Sequence, residues 1–238
     1  MRIVLTQSPD SLQTLEQNLQ AQGYYVERCP LIRTQALQNS AVQQAAAALL
    51  AQPWILFTSP AGVRAWHELG LALCGIESQL GAVGEKTARV LRAYGAKVAL
   101  VAEPANAEGF AAQFIAQVSP ADIAEGAVGL PRGDRALLTL QERLEQAGFA
   151  TLPVVLYETL EQPWPDSLTA DNVDVVLLAS PSAAQALPEA IGNAAKLISL
   201  GPSTGAAIGA RGWRFTQAQR PDAEAIAQAI AQAVSTLP

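Results

Sequence analysis

The sequence predicts an α/β protein of two similar domains, in each of which a parallel sheet is flanked by helices. Three observations support this fold class. Short runs rich in Val, Ile and Leu alternate with longer segments of helical spacing, as in parallel sheets. Half of the 238 residues are hydrophobic, so the chain can bury a substantial core and two compact domains are the default. Several segments also occur twice.

Ten apolar runs are the predicted strands. They cover residues 2–7, 24–28, 54–59, 80–84, 97–102, 127–132, 151–158, 173–180, 196–201 and 213–216. Helices between them commonly end near a glycine, where a left-handed C-terminal cap carries no steric cost. These glycines are Gly23, Gly95, Gly148 and Gly212.

Two sequence modules are used twice. The shorter, a helix, a glycine and a strand, spans residues 15–27 and recurs at 140–152. In the longer module, corresponding residues of the two copies are 116 to 121 positions apart in the sequence. The pairs are Ser59 and Ser180, Gly84 and Gly201, Thr87 and Thr204, Gly95 and Gly212, and Glu108 and Glu224. Slowly drifting offsets over five landmarks indicate an internal duplication.

The order of these modules leaves two domain arrangements open. Because the modules alternate short, long, short, long, the domains could be simple halves joined near Ser119 and Pro120. Alternatively, residues 38–153 could be a domain inserted into the other. The chain would then enter and leave it through two extended, Pro-flanked segments at 29–35 and 154–160, which could pair as a hinge.

The composition argues against several classes of protein. Only 15% of the residues are charged and the formal net charge is −6, so a polyanion held by bulk electrostatics is not an expected partner. Any anion must be bound by local donors. The start of the chain has no basic segment followed by a long apolar one, and no run of about 18 apolar residues occurs. We therefore expect a cytoplasmic, soluble protein.

The cysteines and the histidine form no motif for a metal, a disulfide or a nucleophile. Cys29 and Cys74 are far apart and lack partners at metal-ligand spacing. His67 is the only histidine, and the helical segment around it carries no nucleophile motif. We expect two buried cysteines and a histidine at a helix surface or core edge.

Residues 81–95 nearly spell a phosphate-binding loop. Such a loop needs a lysine directly after its last glycine, but Glu85 separates Gly84 from Lys86, and the repeat at 201–204 has no lysine. The nucleotide-binding hypothesis therefore fails. Both copies keep a glycine at the end of a strand, followed by a hydroxyl residue in the first turn of the next helix.

Four helix starts carry the functional hypothesis. Ser59 and Ser180 each precede a proline, which places a serine at the N-cap and proline at the first helical position. Each serine alone is explained as a cap worth about 1 kcal/mol. With the two glycine turns, however, they form four helix starts at the carboxyl ends of strands, where free amide groups bind anions. Two such domains facing each other would form a cleft for an acidic small molecule.

Several side chains could assist in that cleft. Arg132, Arg135 and Arg64 could each pair with a carboxylate or remain solvated surface charges, and both interpretations stay open. Tyr157 lies in the second extended segment, where its ring could pack at a domain junction or its phenol could donate a proton.

Six segments together resemble a known family. They are SPAGVRAW (59–66), GAVGEKTARVLRAYG (81–95), LPRGDRALLTLQERLEQAGF (130–149), VVLYET (154–159), SPSAAQAL (180–187) and GPSTGAAIGARGW (201–213). In this order and spacing, over nearly the whole chain, they resemble the uroporphyrinogen-III synthase family.

The resemblance implies an arrangement of domains. Two similar α/β domains would be joined by a two-stranded antiparallel connector, with the second domain inserted into the first. Domain 1 would comprise residues 1–34 and 160–238, and domain 2 residues 38–153. The connector would comprise residues 29–37 and 153–160.

The resemblance also implies a reaction and its partners. In this family the linear tetrapyrrole hydroxymethylbilane loses water and closes to uroporphyrinogen III, through a spiro intermediate that inverts ring D. No metal or organic cofactor takes part. The expected partners are this substrate and, transiently, the preceding hydroxymethylbilane synthase. Neither nucleic acid nor a membrane is expected, and the protein is expected to be a monomer.

Carried onto this sequence, the resemblance assigns site residues. Tyr157 would assist departure of the hydroxyl group, directly or through water. Substrate contacts would come from Ser59, Gly84, Thr87, Arg132, Ser180, Ser182, Gly201, Ser203 and Thr204. The sequence departs from the usual pattern at Ala179, where the other copy has Thr58, and at Glu85. The alternative hypothesis is a noncatalytic two-domain protein that binds an acidic metabolite.

Overall fold

The computed structural model describes residues 1–6, 13–123, 126–220 and 222–235. The chain forms two compact units. Unit 1 comprises Met1–Arg33 and Leu160–Pro238, and unit 2 comprises Thr34–Thr159. The backbone therefore passes from one unit to the other twice.

Within the described ranges, strands and helices mostly alternate. The strands are β1 (Arg2–Leu5), β2 (Tyr25–Arg28), β3 (Ile32–Ala36), β4 (Trp54–Phe57), β5 (Gln79–Ala82), β6 (Val98–Val101), β7 (Val128–Gly133), β8 (Thr151–Glu161), β9 (Val175–Leu178), β10 (Lys196–Ser199) and β11 (Phe215–Gln217). The helices are α1 (Gln13–Ala21), α2 (Ser40–Leu49), α3 (Pro60–Glu68), α4 (Glu85–Ala93), α5 (Ala107–Gln117), α6 (Thr139–Gln146), α7 (Pro181–Ala186), α8 (Glu189–Ala194), α9 (Pro202–Ala210) and α10 (Ala223–Ser235). No helix in this part of the chain is both long and apolar enough to cross a membrane.

Unit 1 is a parallel sheet covered on both faces. Its strand order is β2-β1-β9-β10-β11, and every pairing is parallel. One hydrophobic cluster packs β9 and β10 against α7, α8 and α9, and a second packs the other face against α1 and α10. Because both faces are buried, β9 is an uninterrupted apolar run, Val175–Leu178, with every residue buried.

Unit 2 has the same five-stranded order with one strand added. Its sheet runs β6-β5-β4-β7-β8-β3, and the pairings among the first five are parallel. The α2, α3 and α4 helices pack on one face, and α5 and α6 on the other. The last strand is antiparallel to β8: Leu37 donates its N–H to the Leu156 carbonyl at 2.8 Å, and Gln162 donates to the Leu31 carbonyl at 2.8 Å. Residue numbers therefore rise along one strand as they fall along the other.

The two units differ by a circular permutation. In unit 1 the short module β1-α1-β2 comes first in the chain and β9, β10 and β11 follow. In unit 2 the strands β4, β5 and β6 come first and the short module β7-α6-β8 follows. This relationship explains why the sequence modules alternate, and it confirms the predicted fold class.

Local chemistry sets the ends of most helices as predicted. Gly23, Gly95, Gly148 and Gly212 all have positive φ values, between 77° and 88°. The N-caps also match between copies. Asn106 accepts the Gly109 N–H at 2.8 Å, and its counterpart Asp222 accepts the Ala225 N–H at 2.9 Å.

The predicted strand ends need correction. Five strands stop two residues earlier than predicted, at Leu5, Phe57, Ala82, Leu178 and Ser199. After the last four of these, the second residue is the N-cap of the next helix. The first residue after β5 and after β10 still donates to the neighbouring strand, Val83 to the Phe57 carbonyl at 3.0 Å and Leu200 to the Leu178 carbonyl at 3.1 Å. The antiparallel pairing of β3 with β8 is the one predicted for the two connector segments, but the sequence did not predict that β3 is also the edge strand of the unit 2 sheet.

Candidate active site

Two hydroxyl groups meet at the carboxyl ends of the strands in unit 2. Ser59 follows β4, and its Oγ accepts the Gly62 N–H at 3.0 Å as the N-cap of α3. The same oxygen lies 3.0 Å from Oη of Tyr157, which is on β8. A cap residue is thus also the hydrogen-bonding partner of the predicted proton donor.

A glycine on the neighbouring strand fixes the Tyr157 ring. Gly133 ends β7 and is in register with Tyr157. A Cβ at this glycine would lie only 2.6 Å from the ring and 2.9 Å from its hydroxyl oxygen. The ring therefore occupies the volume that any other residue at position 133 would need.

Arg132, the residue before Gly133 on β7, has part of its hydrogen-bonding capacity unused. Its Nη1 donates to Gln141 Oε1 at 3.2 Å. Its Nε is buried and has no hydrogen-bond partner among the described residues. An unpaired buried donor is costly, and a carboxylate is the acceptor that a guanidinium pairs with best.

An aspartate ties the next loop to the strand that carries Tyr157. The Asp134 N–H donates to the Tyr157 carbonyl at 3.0 Å, and Asp134 Oδ1 accepts the Thr159 N–H at 2.9 Å. Residues 134–138 are therefore anchored at the same strand ends. The sequence analysis did not single out Asp134, although an Asp after a strand-ending glycine is a frequent anchor of a turn.

The start of α4 presents donors without a side-chain cap. Gly84 is the N-cap, and a Cβ there would lie 2.5 Å from Cβ of Ala105, so only glycine fits. Thr87 is buried in the first turn, and its hydroxyl makes no hydrogen bond within the described ranges. Glu85 is turned toward Arg92, with an Oε1–Nη1 distance of 2.8 Å. The positive end of this helix is therefore open to an anion.

In unit 1 the corresponding helix starts repeat these features. Ser180 caps α7 by accepting the Ala183 N–H at 3.1 Å, and Ser182 is the second residue of that helix. Gly201 is the N-cap of α9 without a side-chain cap. Ser203 is exposed and Thr204 is buried. As at α4, the described residues offer the Thr204 hydroxyl no partner.

The strand order places these groups where parallel sheets bind ligands. In each unit the chain reverses its direction of winding between two neighbouring strands, β7 and β4 in unit 2 and β1 and β9 in unit 1. Ligands bind outside the carboxyl ends of strands at such a switch point. Arg132 and Ser59 flank it in unit 2, and Ser180 follows β9 in unit 1; residues 7–12, after β1, lie outside the described residues.

The structure thus groups the sequence-predicted residues by unit. In unit 2 the ends of the neighbouring strands β5, β4, β7 and β8 carry the five predicted residues, Gly84, Thr87, Ser59, Arg132 and Tyr157. In unit 1 the ends of β9 and β10 carry the other five, Ser180, Ser182, Gly201, Ser203 and Thr204.

The histidine and the cysteines lie apart from these strand ends or in the core. His67 is near the C-terminal end of α3 and stacks on Tyr94 at a centroid distance of 4.2 Å. Cys74 is exposed, which corrects the expectation that both cysteines are buried. Cys29 is buried, and desolvation, with a smaller contribution from the Glu27 carboxylate, raises the pKa of its thiol to about 11.

Comparison with known families agrees with this arrangement. The family model HEM4, described as uroporphyrinogen-III synthase HemD, matches residues 13–228. The chain belongs to the uroporphyrinogen-III synthase family. Membership in a family of enzymes does not favour the alternative of a noncatalytic binding protein.

Solved structures of uroporphyrinogen-III synthases share the fold. A mutant of the enzyme from the extremely thermophilic bacterium Thermus thermophilus is 19% identical, with full coverage of both chains and a TM-score of 0.66. The enzyme from Helicobacter pylori is 18% identical over 98% of this chain and 100% of its own, with a TM-score of 0.65. Both likenesses extend over essentially the whole chain.

Proposed function

We propose that this chain carries out the uroporphyrinogen-III synthase reaction with Tyr157 as the proton donor at the strand ends of unit 2. The observation that carries the proposal is the Ser59–Tyr157 hydroxyl pair at 3.0 Å. Arg132, on the neighbouring strand β7, has a buried Nε without a hydrogen-bond partner among the described residues. A proton donor and a guanidinium on neighbouring strands suit a substrate that has to lose a hydroxyl group and carries acid groups.

The first chemical step is loss of the terminal hydroxyl group. In our proposal Tyr157 donates its proton to this hydroxyl, directly or through one water, so that the C–O bond breaks and water leaves. The remaining azafulvene cation is attacked by the ring-D carbon that bears the bridge, which gives the spiro intermediate. Bond migration and loss of a proton then complete the macrocycle with ring D inverted.

Binding of the carboxylates falls to the helix starts. The substrate has eight carboxylates, whereas the protein is acidic, so backbone amides and hydroxyls have to supply most of the contacts. In unit 2 these are the start of α4, Thr87 and Arg132. In unit 1 they are the starts of α7 and α9, with Ser180, Ser182, Ser203 and Thr204.

The main task of the site is to control conformation. Hydroxymethylbilane closes without an enzyme, but to the isomer in which ring D is not inverted. A preference of about 3 kcal/mol for the spiro closure already gives more than 100 to 1 in favour of the type III product.

The test is the isomer ratio of the product. Freshly made hydroxymethylbilane is incubated with the protein, and the uroporphyrinogen isomers are separated after oxidation to the porphyrins. We expect the type III isomer in large excess at early times. The type I isomer alone, as in a blank without protein, would disprove the proposed function.

The setting of the reaction follows from the lability of the substrate. We place it in the cytoplasm and expect the protein to act as a monomer that receives its substrate from hydroxymethylbilane synthase in a transient encounter. Sedimentation of the protein alone tests whether it is a monomer, and sedimentation of a mixture with that synthase tests whether the encounter is transient.

A further inference from the structure

Two adjacent leucines are exposed in the loop that follows β7. Leu137 has 84% of its surface exposed, the largest value for a large hydrophobic side chain in the described ranges, and Leu138 has 47%. A single exposed leucine needs no explanation, but two neighbours form a small apolar surface. Neither belongs to either hydrophobic cluster of unit 2.

Local stability does not account for these residues. Leu138 is the N-cap of α6 and makes no side-chain cap hydrogen bond. Its backbone is in the right-handed helical region, with φ −82° and ψ −7°, so the leucine side chain does not serve as a cap. The helix is held to the core by two other leucines, Leu140 and Leu144, which are buried. Positions where a sequence departs from local preferences are commonly functional.

The loop begins at the candidate active site. Gly133, which contacts the Tyr157 ring, immediately precedes it, and Asp134 holds it to β8 with two hydrogen bonds. Four residues of extended chain span at most about 14 Å, so Leu137 lies within that distance of Gly133. The two leucines therefore belong to a loop that is anchored beside Tyr157.

We propose that Leu137 and Leu138 are the contact surface for a pyrrole ring of the linear tetrapyrrole bound at these strand ends. This inference rests on the proposed function. Amides, hydroxyls and Arg132 can bind the carboxylates, but the pyrrole rings and their methylene bridges are apolar and need an apolar partner. Covering the two leucines with a ring removes their apolar surface from water.

A contact of this kind changes binding more than chemistry. We assign the contact to a pyrrole ring that takes no part in the making or breaking of bonds, so the leucines stabilise the bound substrate and the transition state alike. Loss of such uniform binding raises KM and leaves kcat nearly unchanged. A docking surface for another protein would instead have no effect on either constant in an assay with the purified enzyme.

The experiment compares Leu137→Ser and Leu138→Ser with the wild-type protein. Both variants should raise KM for hydroxymethylbilane about tenfold, which corresponds to about 1.4 kcal/mol and is within the contribution of one buried leucine side chain. In both, kcat should stay within about twofold. Both side chains are exposed, so each substitution should change the free energy of unfolding by about 0.5 kcal/mol or less. A melting temperature close to that of the wild type then shows that a rise in KM is not due to unfolding.

Ile115→Ser is the matched control. Ile115 is an exposed aliphatic residue of the same unit, on α5, with 37% of its surface exposed. Its KM should match that of the wild type. The inference is overturned if both leucine variants keep the wild-type KM while the wild type makes the type III isomer. A wild type that makes no type III isomer would instead disprove the proposed function.

Discussion

The Tyr157 hydroxyl lies 3.0 Å from the Ser59 hydroxyl, although 98 residues separate them in the chain. Ser59 already accepts the Gly62 N–H with one lone pair. Its own proton can therefore be donated to Tyr157 Oη, and in that arrangement the phenolic proton stays available for a substrate. A residue that would be a helix cap in any α/β protein here also orients a proton donor.

Tyr157→Phe should lower kcat about 100-fold, the lower end of the contribution of general acid catalysis. The melting temperature should change little, because the ring that packs against Gly133 is retained. Initial rates with fresh hydroxymethylbilane and a calorimetric melt measure the two quantities. A kcat within twofold of wild type would remove Tyr157 from the reaction.

Ser59→Ala should lower both stability and turnover. Loss of the cap costs about 1 kcal/mol, or a melting temperature lower by about 2–4 °C for a chain of this size. The control is Asn39→Ala, which removes the N-cap of α2, where Asn39 Oδ1 accepts the Val42 N–H at 2.9 Å. Asn39 caps the helix that follows β3, and its hydrogen bond involves neither Ser59 nor Tyr157. The control should lose similar stability at unchanged kcat; equal kcat in both variants would show that Ser59 only caps α3.

Thr204→Val and Thr204→Ser should have opposite effects. The side chain is buried with 2% of its surface exposed, and valine keeps the shape while it removes a hydroxyl that has no partner in the described part of the chain. We expect Thr204→Val to keep or raise the melting temperature but to raise KM about tenfold, because a carboxylate contact is lost. Thr204→Ser should lower the melting temperature through a small cavity and keep KM. If Thr204→Val keeps the wild-type KM, the hydroxyl does not bind substrate.

The sequence predicted the fold class because its signals are local. Buried strands of a doubly covered sheet are continuous apolar runs. A capping glycine such as Gly148 requires only a positive φ angle at its own position. The duplication also predicted that the two domains share a topology, since two copies of one module fold alike. Neither the local signals nor the duplication alone predicted the circular permutation, because the spatial order of strands is set by long-range packing.

The site was predicted in part for the same reason. Ser59 and Thr204 stand at helix starts that can be identified from sequence, so their place at strand ends was predictable. The approach of Tyr157 to Ser59 and the fit of its ring over Gly133 depend on the register of β7 and β8. Such a register is fixed by packing between strands and not by either segment alone.

The two cysteines should differ in reactivity. The raised pKa of Cys29, about 11 against an ordinary 9.0, keeps its thiol protonated, so at pH 8 ionisation alone should slow its alkylation about 100-fold. Cys74 is exposed and should react first. Because the pKa of Cys29 is raised in the folded protein, its contribution to the free energy of unfolding is fully present below pH 9 and is lost as the pH rises through 11. Mass spectrometry after brief iodoacetamide treatment should find label on Cys74 alone; equal labelling would contradict the burial of Cys29.

Residues 34–159 should fold when they are expressed alone. We propose them as the inserted domain because both hydrophobic clusters of unit 2 contain only residues of this range. The ends of the excised piece belong to β3 and β8, which pair with each other, so no strand loses its neighbour. We expect a cooperative thermal transition and native near-ultraviolet circular dichroism.

As a control, a piece of the same length that starts at Trp54 lacks β3 and α2 and leaves Leu156 exposed, so it should unfold at a much lower temperature. If residues 34–159 show no cooperative transition, the range is not an independent domain.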